Sequence, residues 1–419
     1  MKLALSDGRL ADLSALSSPP LKRALAMLDA DGEEARLVGG AVRDLLLGVP
    51  PGDFDIATTA TPDVVMARAK AAGVAYIPTG VAHGTVTLIV EGKPIETTTL
   101  REDVDTDGRH ATVRFGRDFD GDARRRDFTI NALSLDRSGL VHDCVGGLAD
   151  LAAGRVRFIG EARRRIREDF LRTLRFLRFS ARFGDGRLDP EGFSAAIAER
   201  AGLAQLSAER VRAELLKTLV APRAVGVIAE ADAAGLLAPL LGGVLRPHRL
   251  ARLAEIEAAR GEAPDAVLRL AALAVGVRED AERLRERLRL SNAEAGRLEQ
   301  AARVAEAWHG RETPVALGDL RAALFEHGPR APLDAAALTH AESRAAPDDP
   351  RWASAYRFLR DTPPPRLPFS GADLLARGVP PGRGVGQALK KLQADWIRAG
   401  FPREPEVLAR MLAQATVEL

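Results

Sequence analysis

The sequence predicts an α+β protein in which an N-terminal α/β head precedes an all-helical remainder. Up to about residue 155, short stretches of strand character alternate with short helices. Beyond that point strand signals almost vanish, and amphipathic helical segments follow one another between proline breakers. A chain of 419 residues is also too long for one hydrophobic core, so two to four domains are expected.

The first informative element is a strand that ends at Val38 and turns at Gly39 and Gly40 into a short helix over residues 41–47. Such a turn presents free backbone N–H groups to an anion, and the helix dipole adds to their attraction. Arg43, one turn into the helix, could add a guanidinium fork to phosphate oxygens. A pair of glycines alone is equally typical of a plain tight turn.

Two aspartates follow the helix, and they strengthen the interpretation as a ligand site. Asp53 and Asp55 stand two residues apart on a predicted strand, so both carboxylates project from one face. They would repel each other without a cation between them, and Mg²⁺ prefers such ligands together with substrate phosphates. Glu96, on the predicted strand 94–100, is a candidate third carboxylate that could assist the metal or deprotonate an attacking hydroxyl. The alternative is that Glu96 is a strand charge facing solvent.

The rest of the head contains a helix, three strands and a polar segment. Thr61 and Pro62 start a helix that runs to about residue 72. Strand patterns then cover residues 74–77, 85–90 and 94–100. Residues 101–126 are polar and aperiodic, which predicts a long mobile loop.

Three consecutive arginines, Arg124 to Arg126, precede the next buried segment. A charge run is usually only a solvated turn. Here Asp127 and Asn131 follow closely and could orient one arginine, or a ribose, so a functional role is favoured.

A helix predicted over residues 161–183 carries the densest arginine pattern. On a 3.6-residue period Asp169, Arg172 and Arg175 share one sector, with Arg178 at its edge. An acceptor beside a bidentate donor is what reading the Watson–Crick edge of a base requires. The alternative is a ladder of intrahelical ion pairs.

Further helices are predicted over residues 190–202, 207–220, 222–236, 247–260, 264–275, 278–289 and 291–309. The charges of Glu209, Arg210 and Glu214 are interpreted as braces for the preceding helix. Near the end, the segment 378–386 joins two helices and could either hold a nucleic-acid phosphate or be a simple joint.

Composition excludes several classes of protein. The net charge of +2 does not by itself indicate a nucleic-acid binder. The single cysteine cannot form an internal disulfide, and no Cys/His cluster has zinc spacing. No apolar run approaches the ~20 residues of a membrane span, and no secretory leader pattern is present. We therefore expect a cytoplasmic protein without membrane association.

Five motifs in order resemble those of class II CCA-adding tRNA nucleotidyltransferases and the related bacterial poly(A) polymerases. They are Leu37–Asp44 with Asp53-Phe-Asp55, Arg125–Asn131, Asp150–Gly154, Glu168–Arg172 and Glu209-Arg210. The resemblance implies a nucleotidyltransferase head with a five-stranded mixed sheet, followed by a helical neck, body and tail. The implied domains are 1–156 for the head, 157–222 for the neck, 223–345 for the body and 346–419 for a tRNA-binding tail.

The resemblance also implies an activity: template-independent transfer of C, C and A from CTP and ATP to the 3′ end of tRNA, with Mg²⁺ as cofactor and no obligatory protein partner. In the implied site, Asp53 and Asp55 bind metal and Glu96 is the further catalytic candidate. The implied nucleotide contacts are Gly39, Gly40 and Arg43 at the triphosphate, Arg126 at the ribose or phosphates, Asp169 and Arg172 at the base, and Arg175 and Arg178 completing the pocket.

Two departures bear on which member of the family this is. Poly(A) polymerases typically carry a basic stretch where this chain has Thr79–Thr85, which favours CCA addition. The segment 101–117, with Asp103 and Asp107–Arg109, resembles the loop that full CCA-adding members need, so a CC-only enzyme is less favoured. A poly(A) polymerase, a partial CC- or A-adding enzyme, and an inactive RNA-binding protein remain as alternatives. The intact pair of aspartates counts against the last.

Overall fold

In a computed structural model, residues 5–6, 9–10, 16, 18–106 and 111–417 of the chain are described. The chain forms two compact units, Met1–Leu240 and Leu241–Leu419. All the strands of the described segments belong to the first unit. The strands are β1 Leu5–Ser6, β2 Arg9–Leu10, β3 Ala35–Val38, β4 Phe54–Thr58, β5 Ala75–Gly80, β6 Thr85–Val90, β7 Lys93–Thr99, β8 Arg101–Thr106, β9 Ala111–Phe115, β10 Ser134–Leu135 and β11 Val141–His142.

The other long elements of the described segments are helices. Those that begin in the first unit are α1 Pro19–Leu28, α2 Gly40–Leu46, α3 Pro62–Ala71, α4 Phe119–Arg125, α5 Gly147–Ala153, α6 Ala162–Glu168, α7 Leu171–Phe183, α8 Pro190–Ala198, α9 Ala208–Leu219, α10 Ala224–Ala233 and α11 Ala238–Leu241. Those of the second unit are α12 Pro247–Ala259, α13 Ala266–Ala274, α14 Arg278–Leu288, α15 Asn292–Trp308, α16 Leu317–His327, α17 Arg330–Glu342, α18 Pro350–Asp361, α19 Gly371–Leu375, α20 Arg383–Arg398 and α21 Pro405–Val417. None of the helices in the described segments combines the length and apolar character that crossing a membrane demands. The α+β class predicted from the sequence is confirmed.

The main sheet is mixed and has seven strands in the order β11-β10-β3-β4-β7-β6-β5. Only β4 and β7 run parallel, because α3 and the β5-β6 hairpin lie between them in the chain. The predicted count of five strands is wrong. The two-residue strands β10 and β11 extend the sheet beyond β3, and they are too short to show a period-two pattern in the sequence.

The segment 101–126, predicted as a long loop, is largely regular. Strands β8 and β9 pair antiparallel from Arg101 opposite Phe115 inward, and α4 follows. Backbone pairing needs no apolar alternation, and for that reason the polar sequence hid the hairpin. The predicted loop residues 107–109, and the side chain of Asp103, lie outside what the structure describes.

The predicted helix 161–183 is two helices, α6 and α7, separated by Asp169 and Phe170. Asp169 is extended at φ −157° and ψ 108°, and its Oδ1 accepts the N–H of Leu171 at 3.0 Å. A short polar side chain that bonds the nearby backbone competes with helix continuation. Asp169 therefore precedes α7 and does not lie on a continuous helix face with Arg172.

Helix α7 is fixed to the head by aromatic packing. The ring of Phe176 lies 5.4 Å from Phe158 and 6.3 Å from Phe128, while Phe179 lies 5.4 Å from Phe128. Phe128 and Phe176 are fully buried, and each such ring contributes about 2–3 kcal/mol by burial. The polar edge of α7 is thereby held over the segment that carries Asp127.

In the second unit, a buried histidine links α17 to α18. His340 stacks on Trp352 with ring centroids 4.7 Å apart. Its Nε2–H donates to the carbonyl of Ala346 at 3.0 Å, and its Nδ1 accepts from the Tyr356 hydroxyl at 3.1 Å. This arrangement suits the neutral ring, and burial lowers the pKa of His340.

Candidate active site

The turn between β3 and α2 depends on the glycine at position 39. Gly39 adopts φ 71° and ψ −130°, which favours glycine strongly, and its N–H donates to the Leu133 carbonyl at 3.3 Å. A Cβ on Gly39 would lie 2.9 Å from Nη1 of Arg126. The absence of a side chain at Gly39 therefore lets the Arg126 guanidinium lie directly over the turn.

Arg126 is held in that position by two partners. Its Nε and Nη2 donate to Oδ2 of Asp122 at 3.3 and 3.2 Å, and its Nη1 donates to the Asn131 carbonyl at 3.2 Å. Within the described residues these bonds use three of the five guanidinium N–H groups. Two donors remain for an anion over the turn.

Arg43, predicted as a phosphate fork, is placed differently. It is only 6% exposed, and its Nη1 donates to Oδ1 of Asn131 at 2.6 Å. Its Nε and Nη2 donate to Oδ1 of Asp44, and its guanidinium carbon lies 3.9 Å from the Phe183 ring centroid. The neighbouring carboxylate and aromatic ring hold the side chain in a buried position, where its Nη2 lies 3.4 Å from the place that a Cβ on Gly40 would take.

The carboxylates lie at the start of β4 and on its parallel neighbour. Asp53 immediately precedes β4, Asp55 is its second residue, and the β4–β7 register sets Asp55 beside Glu96. All three side chains are exposed. Partial desolvation and the charges of Glu96 and Asp53 raise the pKa of Asp55, while the charge of Arg126 opposes the rise. Asp55 therefore lies within electrostatic reach of the arginine that covers the turn.

No group of three or more Asp, Glu, His or Cys side chains is close enough to form a metal site, as far as the described residues show. The donor set is thus the pair Asp53 and Asp55, with Glu96 adjacent in the sheet. Such a pair fits Mg²⁺, which commonly takes one or two protein carboxylates and completes its octahedron with water and substrate phosphates.

A buried polar network connects the turn to α7. Asp127 accepts from Asn131 Nδ2 at 3.0 Å through Oδ1, and from Arg175 Nε at 2.7 Å through Oδ2. Asn131 is the residue that also binds Arg43 and Arg126. Arg178 donates to Glu214 of α9, which is 7% exposed. In the structure Arg175 and Arg178 therefore position α7 against the head and α9.

Asp169 and Arg172 do not bond each other through their side chains. Asp169 accepts from Arg210 Nη2 at 2.7 Å, and Arg172 donates through Nη1 to Glu168 at 2.5 Å. Separate partners leave an accessible edge on each, since Asp169 is 35% and Arg172 19% exposed at the side chain. A donor and an acceptor held apart in this way can each face a flat polar ligand.

Sequence reasoning assigned no role to several residues that hold the site together. Asp122 fixes Arg126, Glu168 fixes Arg172, and Arg165 donates to backbone carbonyls at the end of α4. Two of these had a readable signal, since Asp122 and Glu168 stand four residues before their arginines. Arg210 and Glu214 were predicted to brace the preceding helix, but they pair with Asp169 and Arg178, at the start of α7 and on it, so they brace an earlier helix.

Comparison with known proteins places these motifs in context. A family described as Poly A polymerase head domain matches residues 35–157, and one described as Probable RNA and SrmB- binding site of polymerase A matches residues 187–245. The human protein CCA tRNA nucleotidyltransferase 1, mitochondrial, is 34% identical over 413 residues, covering 95% of this chain and 90% of the human protein.

Two bacterial proteins extend the similarity. The CCA-adding enzyme of Limosilactobacillus fermentum is 31% identical over 397 residues, covering 93% of this chain and 95% of its own length. The crystal structure of the Bacillus stearothermophilus CCA-adding enzyme in complex with CTP superposes with a TM-score of 0.71 at 29% identity, covering 96% of this chain and 99% of that one.

Proposed function

The chain belongs to the CCA tRNA nucleotidyltransferase family, and from that premise we propose that it adds C, C and A in turn to the 3′ end of tRNA, using CTP and ATP and releasing diphosphate. The observation that carries the proposal is the hydrogen-bonded network that joins the glycine turn, covered by Arg126, to the helix that follows Asp169 and carries Arg172. Asp55 lies beside this network, within electrostatic reach of Arg126.

The triphosphate is assigned to the turn at Gly39 and Gly40. Backbone N–H groups at the start of α2 and the two free donors of Arg126 would hold its oxygens. Arg43 is assigned a supporting role, because it is buried and three of its N–H groups are bonded to Asp44 and Asn131. Positioning and charge of this kind supply most of the catalysis in phosphoryl transfer.

The metal is assigned to Asp53 and Asp55. When bound, Mg²⁺ would neutralise charge that develops on the phosphate oxygens. The chain's own contribution is to keep both carboxylates on one side of β4, where Arg126 limits their mutual repulsion. Glu96, the in-register neighbour of Asp55, is proposed to orient the attacking 3′ hydroxyl.

Base selection is assigned to Asp169 and Arg172. Their separate braces, Arg210 and Glu168, hold an acceptor and a donor apart, and a cytosine or adenine edge could bond both. Arg175 and Arg178 lie along the same helix and are proposed to complete the nucleotide pocket while holding α7 in place.

The decisive experiment offers each labelled nucleotide singly to the protein with a tRNA that lacks its terminal CCA. We expect incorporation of CTP alone, and of ATP only after CTP, with activity lost on chelation of Mg²⁺. Failure to incorporate CTP would refute the proposal, and long adenylate tails without CTP would identify a poly(A) polymerase. The human relative is named as mitochondrial, so the cytoplasmic location predicted from the sequence stays a prediction.

A further inference from the structure

Arg165 of α6 is hydrogen-bonded to both Arg126 and Arg172, two of the arginines to which nucleotide contacts are assigned. Its side chain is 12% exposed. Nη2 donates to the carbonyls of Arg124, Arg125 and Arg126, where α4 ends. The last carbonyls of a helix have no intrahelical partner, so one buried guanidinium here fixes the end of α4 and with it the backbone of Arg126.

The other side of Arg165 reaches the base-reading group. Nη1 donates to Oε2 of Glu168 at 2.7 Å, and that same oxygen accepts from Nη1 of Arg172. The Arg172 Nη1 also donates to the backbone carbonyl of Arg165 at 2.8 Å. Two routes, one through Glu168 and one through the backbone, therefore join Arg165 to Arg172.

We propose that Arg165 is a positioning residue that couples base selection by Arg172 to phosphate contact by Arg126. This inference rests on the proposed function. Its consequence is that a base that bonds poorly to Arg172 weakens the contact between Arg126 and the triphosphate. Arg165 itself contacts no substrate group. Because one cation binds both the end of α4 and Glu168, a shift of Arg172 displaces Arg126 as well.

A double-mutant cycle measures that coupling directly. The values of kcat/KM for CTP are compared for the wild type, R126K, R172K and the double variant, with Arg165 present and in the R165M background. If the two arginines are coupled, the fold-loss of kcat/KM in the double variant differs from the product of the two single fold-losses. We expect this difference to be about fivefold or more with Arg165 present and below about twofold in the R165M background. The inference is overturned if the non-additivity is the same in the R165M background, or if the cycle with Arg165 present shows no non-additivity.

A binding measurement keeps the inference separate from the reaction. Inorganic tripolyphosphate, which has no base, is titrated calorimetrically into the wild type, R165M, R165K and R167M. R165M binds about tenfold more weakly, because the end of α4 is no longer fixed. R165K binds nearly as the wild type, since an ammonium still reaches the carbonyls, yet its cycle shows no coupling because it cannot also hold Glu168.

The control R167M removes an exposed arginine of the same helix whose partner is Glu199, and it leaves both measurements unchanged. If the wild type incorporates no nucleotide, the proposed function fails while the titration still decides this inference: equal tripolyphosphate affinity in R165M and wild type refutes it. If R165M does not fold, the double-mutant cycle in the R165K background decides. Coupling retained in that background contradicts the proposal that the Arg165 guanidinium must bind the end of α4 and Glu168 at once.

Discussion

Replacing Gly39 with alanine separates backbone strain from the placement of Arg126. The new methyl would meet Nη1 of Arg126 at 2.9 Å, and the backbone there has φ 71°. Gly48, at the end of α2, offers a matched control, because its φ is 70° and a Cβ there would meet nothing within 4 Å. Both variants carry strain, and only one displaces the arginine.

The magnitudes follow from this geometry. A non-glycine residue at positive φ costs about 1–3 kcal/mol, so Gly39→Ala and Gly48→Ala both lose free energy of unfolding. The contact at Gly39 is with the far end of a flexible side chain, so it is the guanidinium that moves. Losing one charge-assisted hydrogen bond to phosphate costs about 1.5–3 kcal/mol, which raises KM for CTP about 10- to 150-fold in Gly39→Ala alone.

Urea unfolding and steady-state kinetics with CTP test both parts. A common loss of stability together with a KM increase confined to Gly39→Ala supports the placement of Arg126 over the phosphates. Equal KM values in the two alanine variants would refute that reasoning.

Three further predictions concern the metal pair and two buried groups. Asp53→Asn abolishes nucleotide addition while tRNA still binds in a filter assay; turnover near the wild-type rate contradicts the metal assignment. Glu214→Ala leaves the largely buried Arg178 without its carboxylate and lowers the free energy of unfolding by about 3 kcal/mol, against about 0.5 kcal/mol for Glu209→Ala at an exposed position. Because burial lowers the pKa of His340 below its usual 6.5, the folded chain resists its protonation, so stability is complete above pH 6.5 and declines as the pH falls below it. His340→Phe removes this contribution in a pH series of thermal unfolding, and an unaltered pH profile in that variant would contradict it.

The arrangement of the site explains why these perturbations are separable. The turn, the carboxylates and the residues assigned to the base lie on different elements, and hydrogen bonds through Asp127 and Asn131 join the turn to α7. A change at one element is therefore expected to affect mainly the step assigned to that element, which is phosphate binding, metal binding or base selection. Only residues that bond two elements at once, such as Arg165, are expected to affect several steps together.

Local chemistry in the sequence was sufficient to predict the glycine turn and the aspartate pair as a candidate site. Glycines that require positive φ, followed by aspartates two residues apart on a strand, predict an anion cradle and a cation site whatever surrounds them. The split between an α/β head and helices likewise follows from periodicity, which each segment carries by itself. These features depend on residues within a few positions of one another.

Tertiary structure alone decided which arginines remain available to a ligand. Arg43 and Arg126 are both arginines near one turn, yet Asp44 and Phe183 bury the first while Asp122 holds the second over Gly39. The break at Asp169 and the pairing of β10 with β3 also depend on contacts made only in the folded chain. A guanidinium takes the nearest carboxylate or carbonyl in space, and partners such as Arg165 and the end of α4, about forty residues apart, have no signature in local sequence.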